Sequence, residues 1–239
     1  NDGTSADYAC VDARYLAPTP QGLSPVEAAS IWMQFMTAYF PVMELAKAGP
    51  GTSMLVTAAT GTAGNAALNI GRLTGANMIG TTRDPGSVNY LIESGASHVI
   101  VTSEETDIAA EIRRLTNGQG VDAVFDPVGA GMIHRYSPAL ARDAQILFYG
   151  TLDGVFPTLP FVDMFQANAT FKPYSLFNYV EDHAARARGV DFVTKALANG
   201  VLSPRIDRVY PMEGYREAWA YLSQPRDSHG KVVIETAKQ

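Results

Sequence analysis

Leu55-Val56-Thr57-Ala58-Ala59-Thr60-Gly61-Thr62-Ala63-Gly64-Asn65-Ala66-Ala67 is the stretch whose reading decides the fold. A β-prone apolar run enters a turn of small residues, and helix-compatible residues follow at once. Gly61 and Gly64 hold the second and third glycine positions of the dinucleotide fingerprint, with Ala59 where the first glycine would stand. At Gly61 a Cβ would collide with a pyrophosphate lying over the N–H groups at the positive end of the helix. Gly64 lets the helix lie against the strand. For an isolated match, tight helix–sheet packing explains the same small residues. Here strand, turn and helix are all present, so Thr60, Gly61, Thr62, Ala63 and Gly64 are expected to cradle a nucleotide.

Around this unit, short apolar runs alternate with helical segments. Strands are expected at 54–57, 78–81, 98–101, 123–126 and 145–149, with helices at 62–74, 85–94, 108–116 and 132–141. That alternation implies an α/β fold, a parallel sheet covered on both faces, and right-handed crossovers close it as a doubly wound Rossmann sheet. Upstream, Ser24-Pro25-Val26-Glu27 is a capping box that opens a long helix through Leu45, broken near Pro41. Ala6–Val11 and Arg14–Ala17 read as two short strands. Downstream, a strand is expected within 169–175, one helix over 181–199 ended by Gly200, a helix running to Leu222 and a last strand at 230–234.

The 239 residues are 46% hydrophobic and 18% charged, with a net charge of −6 and no dense Lys or Arg run, so nucleic acid is an unsuitable partner. No apolar stretch approaches the roughly 20 residues of a membrane span. A single cysteine, Cys10, and no charged-then-apolar leader suggest a cytoplasmic setting. The opening Asn1 suggests part of a longer chain.

The end of the second strand selects the dinucleotide. An NAD site places Asp or Glu there to hold the ribose hydroxyls, whereas this chain has Thr81-Thr82-Arg83. Two hydroxyls and a planar guanidinium suit the 2′-phosphate of NADPH. The competing reading is a surface ion pair between Arg83 and Asp84. Pro127 and Val128 end the fourth strand, and Tyr149, Gly150 and Thr151 end the fifth, where the nicotinamide half would lie. Phe148, Tyr149, Phe156, Phe161 and Phe165 offer an apolar wall for a flat substrate, with a core role as the alternative.

The ordered set Leu23–Ala29, Thr37-Ala38-Tyr39, Ala58–Gly64, Val124–Gly129 and His229–Val233 resembles the medium-chain dehydrogenase/reductase superfamily, within it the zinc-free quinone oxidoreductase group related to zeta-crystallin. The resemblance implies a Rossmann NADP-binding domain at 29–175, the end of a GroES-like β-rich catalytic domain at 1–28, and a linking helix with a C-terminal return to that domain at 176–239, most of the GroES-like portion being absent. It also implies nicotinamide- or substrate-side roles for Thr37 and Tyr39. No metal is expected: Met33 stands where a zinc-ligating cysteine would be, and His98, His134, His183 and His229 form no ligand pair. The implied activity is NADPH-dependent hydride transfer to a quinone or an α,β-unsaturated carbonyl. A zinc-free alcohol dehydrogenase, an enoyl thioester reductase and a non-catalytic NADPH-binding module are the alternatives. A homodimer through the edge strand Ala169–Pro173 is expected.

Overall fold

The computed structural model describes residues 6, 8–224 and 228–236. It divides into two compact units, Thr37–Leu176 on one hand and Asn1–Met36 with Phe177–Gln239 on the other. Helix α1 (Pro25–Tyr39) crosses the division. Its start is the anticipated capping box: the Ser24 N–H donates to Glu27 Oε2 (2.8 Å), and the Glu27 N–H donates back to Ser24 Oγ (3.3 Å). At Phe40–Leu45 the helix widens to a π-helical turn. Pro41 has no N–H for the α ladder, and the Ala46 N–H reaches five residues back to its carbonyl.

The larger unit is built on a parallel sheet of β1 (Ser53–Val56), β2 (Asn77–Thr82), β3 (His98–Val101), β4 (Val121–Asp126), β5 (Leu140–Phe148) and β6 (Thr170–Pro173). Their order is β3-β2-β1-β4-β5-β6, with every neighbouring pair parallel. This is the doubly wound Rossmann arrangement, with its topological switch between β1 and β4. The connecting helices are α2 (Thr62–Thr74), α3 (Val88–Glu93), α4 (Ile108–Leu115) and α5 (Ala130–Tyr136), followed by α6 (Phe161–Ala167). Leu55, Ile79, Ile100, Val124 and Ile146 pack with Ile108 and Ile112 of α4 and Ile133 and Tyr136 of α5 in one buried cluster. Alternate residues Met54, Val56 and Met78 are equally buried. Burial of both faces explains why these strands read as continuous apolar runs.

Where helix α5 was expected to run to Ala141, Leu140–Asp143 instead opens β5. The exposed pair Arg142 and Asp143 resembles a helix surface in sequence. Asp143 takes φ +62°, and the register slips between Val121 and Ala123 on the neighbouring strand.

The smaller unit contains most of α7 (Leu176–Glu181), α8 (His183–Ala198), β7 (Ile206–Pro211), α9 (Tyr215–Leu222) and β8 (Lys231–Glu235). The single helix expected over 181–199 is two, because Asp182 turns extended and caps the Ala185 N–H (2.8 Å). β7 and β8 form a two-stranded parallel sheet with α9 packed on both. The two expected opening strands are not formed. Asp7 lies outside the described residues, Tyr8–Asp12 is irregular and exposed, and Ala13–Tyr15 is a 3₁₀ turn capped by Asp12. Among the described residues no strand is placed to pair with this segment, so its β propensity is unrealised. No described helix is long and apolar enough to cross a membrane.

Candidate functional site

At the carboxyl ends of the strands the larger unit opens a cleft of about 520 Å³. Its walls include Ala58 and Thr60 after β1, Thr81, Thr82 and Arg83 at β2, Thr102, Ser103 and Glu104 after β3, and Val128 after β4. A cleft bridging the ends of β1, β2, β3 and β4 is where an open α/β sheet binds its ligand.

The turn after β1 is built from small residues for a measurable reason. A Cβ on Gly64 would stand 2.9 Å from Ala59 Cα and 3.0 Å from the Ala58 carbonyl oxygen, both backbone atoms that cannot step aside. Gly64 therefore seats α2 against the turn itself. Gly61 is exposed and caps α2 with extended backbone. The left-handed residue is Ala58 (φ +48°), one position before the place assigned to the missing first glycine. The Ala58 N–H donates to Thr81 Oγ1 (3.2 Å) and the Ala59 N–H to the Thr81 carbonyl (3.0 Å), so β2 holds this unfavourable conformation in place.

Those bonds change the meaning of the Thr81-Thr82-Arg83 run. The Thr81 hydroxyl is buried under the turn, and the Thr82 hydroxyl accepts from the Asp84 N–H (3.0 Å). Arg83 is exposed at the rim. The Asp84 carboxylate accepts from the Gly86 N–H (2.9 Å) and the Ser87 hydroxyl (2.5 Å), capping the next turn, and makes no ion pair with Arg83 among the described residues.

Between β1 and β4 lies a buried network that sequence reading did not single out. Asp126 is wholly buried, and its Oδ1 accepts from Thr57 Oγ1 (2.5 Å) and the N–H groups of Val128 (2.8 Å) and Gly129 (3.3 Å). Its Oδ2 accepts from the Tyr136 hydroxyl (3.0 Å). Burial, and then the charge of Asp126, hold the phenols of Tyr136 and Tyr149 above the usual tyrosine range. Tyr149 stacks on Phe125 at 3.9 Å between ring centroids. The Tyr149 N–H donates to the Asp126 carbonyl and the Leu152 N–H to the Pro127 carbonyl, both at 2.9 Å, which zips the loops after β4 and β5 together. A Cβ on Gly150 would approach that Pro127 carbonyl oxygen to 3.2 Å, so Gly150 serves this contact.

Of the residues singled out in sequence, Thr60, Thr81, Thr82, Arg83 and Val128 line the cleft. Gly61, Thr62, Ala63 and Gly64 form the adjoining start of α2, and Pro127, Tyr149, Gly150 and Thr151 form the zipped loops. Thr37 and Tyr39 are outside its lining. The buried Tyr39 donates its hydroxyl to Glu44 Oε1 (3.1 Å) and packs edge-on against Phe40. Phe156, Phe161 and Phe165 are largely exposed, while Phe148 is buried against Phe171. The cleft also contains Thr102, Ser103, Glu104, Gly131, Met132, Arg135, Leu152 and Asp153, which sequence reading passed over. The end of β3 at Val101 was the available signal for the first three, since every strand end on this side faces the ligand.

Comparison with known proteins matches residues 94–234 to the zinc-binding dehydrogenase family model. The chain belongs to the zinc-binding dehydrogenase family. It is thus a medium-chain dehydrogenase/reductase, as the ordered motifs imply. A highly reducing polyketide synthase, ZEA2 of Gibberella zeae, is 27% identical over 237 residues, 97% of this chain and 10% of that protein. A quinone oxidoreductase-like protein 2 homolog of Nematostella vectensis is 28% identical over 98% of this chain and 64% of its own length. The solved structure of an NAD-dependent alcohol dehydrogenase superposes with a TM-score of 0.87 at 31% identity, covering 98% of this chain and 66% of that one. The chain spans less than two thirds of the length of those relatives.

The family name implies zinc. Among the described residues no three His, Cys, Asp or Glu side chains converge as a metal cage, and both Cys10 and Met33 are exposed. These residues do not fit a zinc centre.

Proposed function

We propose that the cleft binds NADPH and that the protein to which this chain belongs passes its hydride to an electron-poor acceptor, a quinone or an α,β-unsaturated carbonyl. The observation that carries the cofactor reading is the exposed Arg83 at the cleft rim, with the Asp84 carboxylate turned to its own cap and no acidic side chain at the end of β2. A guanidinium there offers a planar donor fork to a 2′-phosphate. The bound cofactor supplies the hydride, so the protein's part is orientation and exclusion of water. Gly61 and the start of α2 receive the pyrophosphate, and the zipped loops at Pro127–Val128 and Tyr149–Thr151 form the floor for the nicotinamide half. Thr37 and Tyr39 are retained as nicotinamide-side candidates on the resemblance alone.

Titration with NADPH and NADH, followed by nicotinamide emission, tests this reading. NADPH is expected to bind more tightly, and Arg83→Ala is expected to weaken NADPH by about 10- to 100-fold, the scale of a charge-assisted hydrogen bond, leaving NADH unchanged. Equal affinities would make the site NAD-like, in line with the name of the solved alcohol dehydrogenase.

A second reading is an enoyl thioester reductase, favoured by the polyketide synthase that matches along 97% of this chain. Parallel assays with small quinones and enoyl thioesters separate the two. A homodimer is proposed through the edge strand β6, which among the described residues pairs with β5 alone, with Val162 and Phe165 of the preceding α6 exposed. Sedimentation of the chain with and without Phe165→Glu tests that assembly.

A further inference from the structure

Three consecutive residues of α5 bond to three separate segments of the sheet unit. Tyr136 donates inward to Asp126 at the end of β4. Arg135 Nη2 donates to the carbonyl oxygens of Ser103 (2.5 Å) and Thr106 (2.9 Å), in the loop after β3. His134 Nε2 lies 2.9 Å from Thr158 Oγ1, in the segment after β5 that carries Leu152 and Asp153. A helix of seven residues is thus tied to the end of β4 and to the segments that follow β3 and β5.

The Arg135 tie has the clearest consequence. The loop it holds supplies Ser103 and Glu104 to the cleft wall. Within the loop, Ser103 and Thr106 bond one another, the Ser103 N–H to Thr106 Oγ1 at 3.0 Å, and Thr106 Oγ1 reaches the Val101 carbonyl at 3.2 Å. Those bonds span at most five residues and shape the loop without locating it. The Arg135 bonds span 32 and 29 residues and fix it to α5. Arg135 also lines the cleft beside Met132, where an anionic ligand would meet a cation already engaged with carbonyl oxygens.

We propose that Arg135 is a positioning residue for the dinucleotide, holding the Ser103–Thr106 wall in its binding shape and making no demand on the 2′-phosphate. The proposal rests on the reading of the cleft as a dinucleotide site. A preformed wall lowers the ordering cost of binding for NADPH and NADH alike. In this, Arg135 differs from Arg83, whose removal separates the two nucleotides.

The test uses the whole chain and three variants, Arg135→Gln, Arg135→Lys and Arg83→Ala, titrated with NADPH and NADH. Amide hydrogen exchange is read at Ser103–Thr106 before nucleotide is added. Arg135→Gln is expected to weaken both nucleotides by the same factor, about tenfold, which is the scale of one lost charge-assisted hydrogen bond. It should speed exchange in that loop while β1 and β4 stay protected. Arg135→Lys should recover part of both effects, since an ammonium can still donate to carbonyl oxygens. Loss of NADPH affinity alone would overturn the proposal by making Arg135 a direct phosphate ligand. Unchanged affinity with unchanged loop exchange would also overturn it. Wild-type chain that binds neither nucleotide would remove the cofactor reading and the proposal with it, whereas NADPH binding that depends on Arg83 but not on Arg135 would remove the proposal alone.

Discussion

The two units use the same parallel strand pairing and differ in what covers it. In the larger unit β2 and β4 are buried almost end to end, and helices lie over the sheet. In the smaller unit β7 has only half-buried and exposed positions, β8 is half-buried throughout, and α9 leaves Trp219 61% exposed. Parallel strands are stable when both faces are covered, and a two-stranded sheet is marginal without a second layer. The sheet unit thus holds its polar groups in a buried network centred on Asp126, while the smaller unit places its polar contacts near solvent, as in Tyr221, whose hydroxyl meets Asp207 at 3.1 Å and Ser228 at 2.7 Å.

The sharpest way to break this contrast is to remove the network's centre. Asp126→Ala leaves the Thr57 and Tyr136 hydroxyls and the Val128 N–H without their acceptor. It is expected to cost about 3–5 kcal/mol of sheet-unit stability. Urea unfolding followed by far-UV circular dichroism measures it. Trp32 and Trp219 both belong to the smaller unit, so tryptophan emission gives a separate signal there. A loss below about 1 kcal/mol would show the network to be dispensable.

Native-state hydrogen exchange sharpens the comparison next. Amides of β1 and β4 are expected to exchange roughly 100-fold or more slowly than those of β7 and β8. Equal protection would mean that the smaller unit is as well covered as the larger.

Alkali should act on the sheet unit through Tyr136 and Tyr149, whose folded pKa values lie above the ordinary value of 10. A raised folded pKa means the stabilisation is complete below about pH 10 and is lost as pH rises beyond it. Each such tyrosine contributes a slope of up to about 1.4 kcal/mol per pH unit. Urea midpoints at pH 9 and pH 11 should therefore fall apart, and Tyr149→Phe should narrow the gap.

The smallest effect belongs to the helix cap. The Ser24 N–H and hydroxyl hold the Glu27 carboxyl below its ordinary value of 4.5. A depressed pKa stabilises above that ordinary value and loses its effect as pH falls through the folded one. Ser24→Ala should lower Tm by about 2–4 °C near neutrality and less in acid, read by thermal scans at pH 7 and pH 3.

Most of the larger unit was legible because its signals are local. The glycine turn, the apolar runs and the capping box each act within a few residues, and strands β1–β4 fall within two residues of their expected bounds. β5 begins earlier than its sequence implies because its exposed Arg142 and Asp143 mimic a helix surface. The opening strands failed for the opposite reason: propensity was present, and no described strand stands beside it. At the candidate site Arg83 was legible from its place at a strand end. The engagement of the Thr81 and Thr82 hydroxyls with backbone was not, since it depends on where the next turn folds back.

By itself the sequence determined an alternating α/β unit with a glycine turn at its first strand, because hydrophobic periodicity and the absence of a Cβ act on near neighbours. Only the tertiary structure decided the order β3-β2-β1-β4-β5-β6, the meeting of Thr57 with Asp126 across 69 residues and of Arg135 with Ser103 across 32. Such pairs leave no periodic trace in the chain, and they form only when strands distant in sequence are packed side by side.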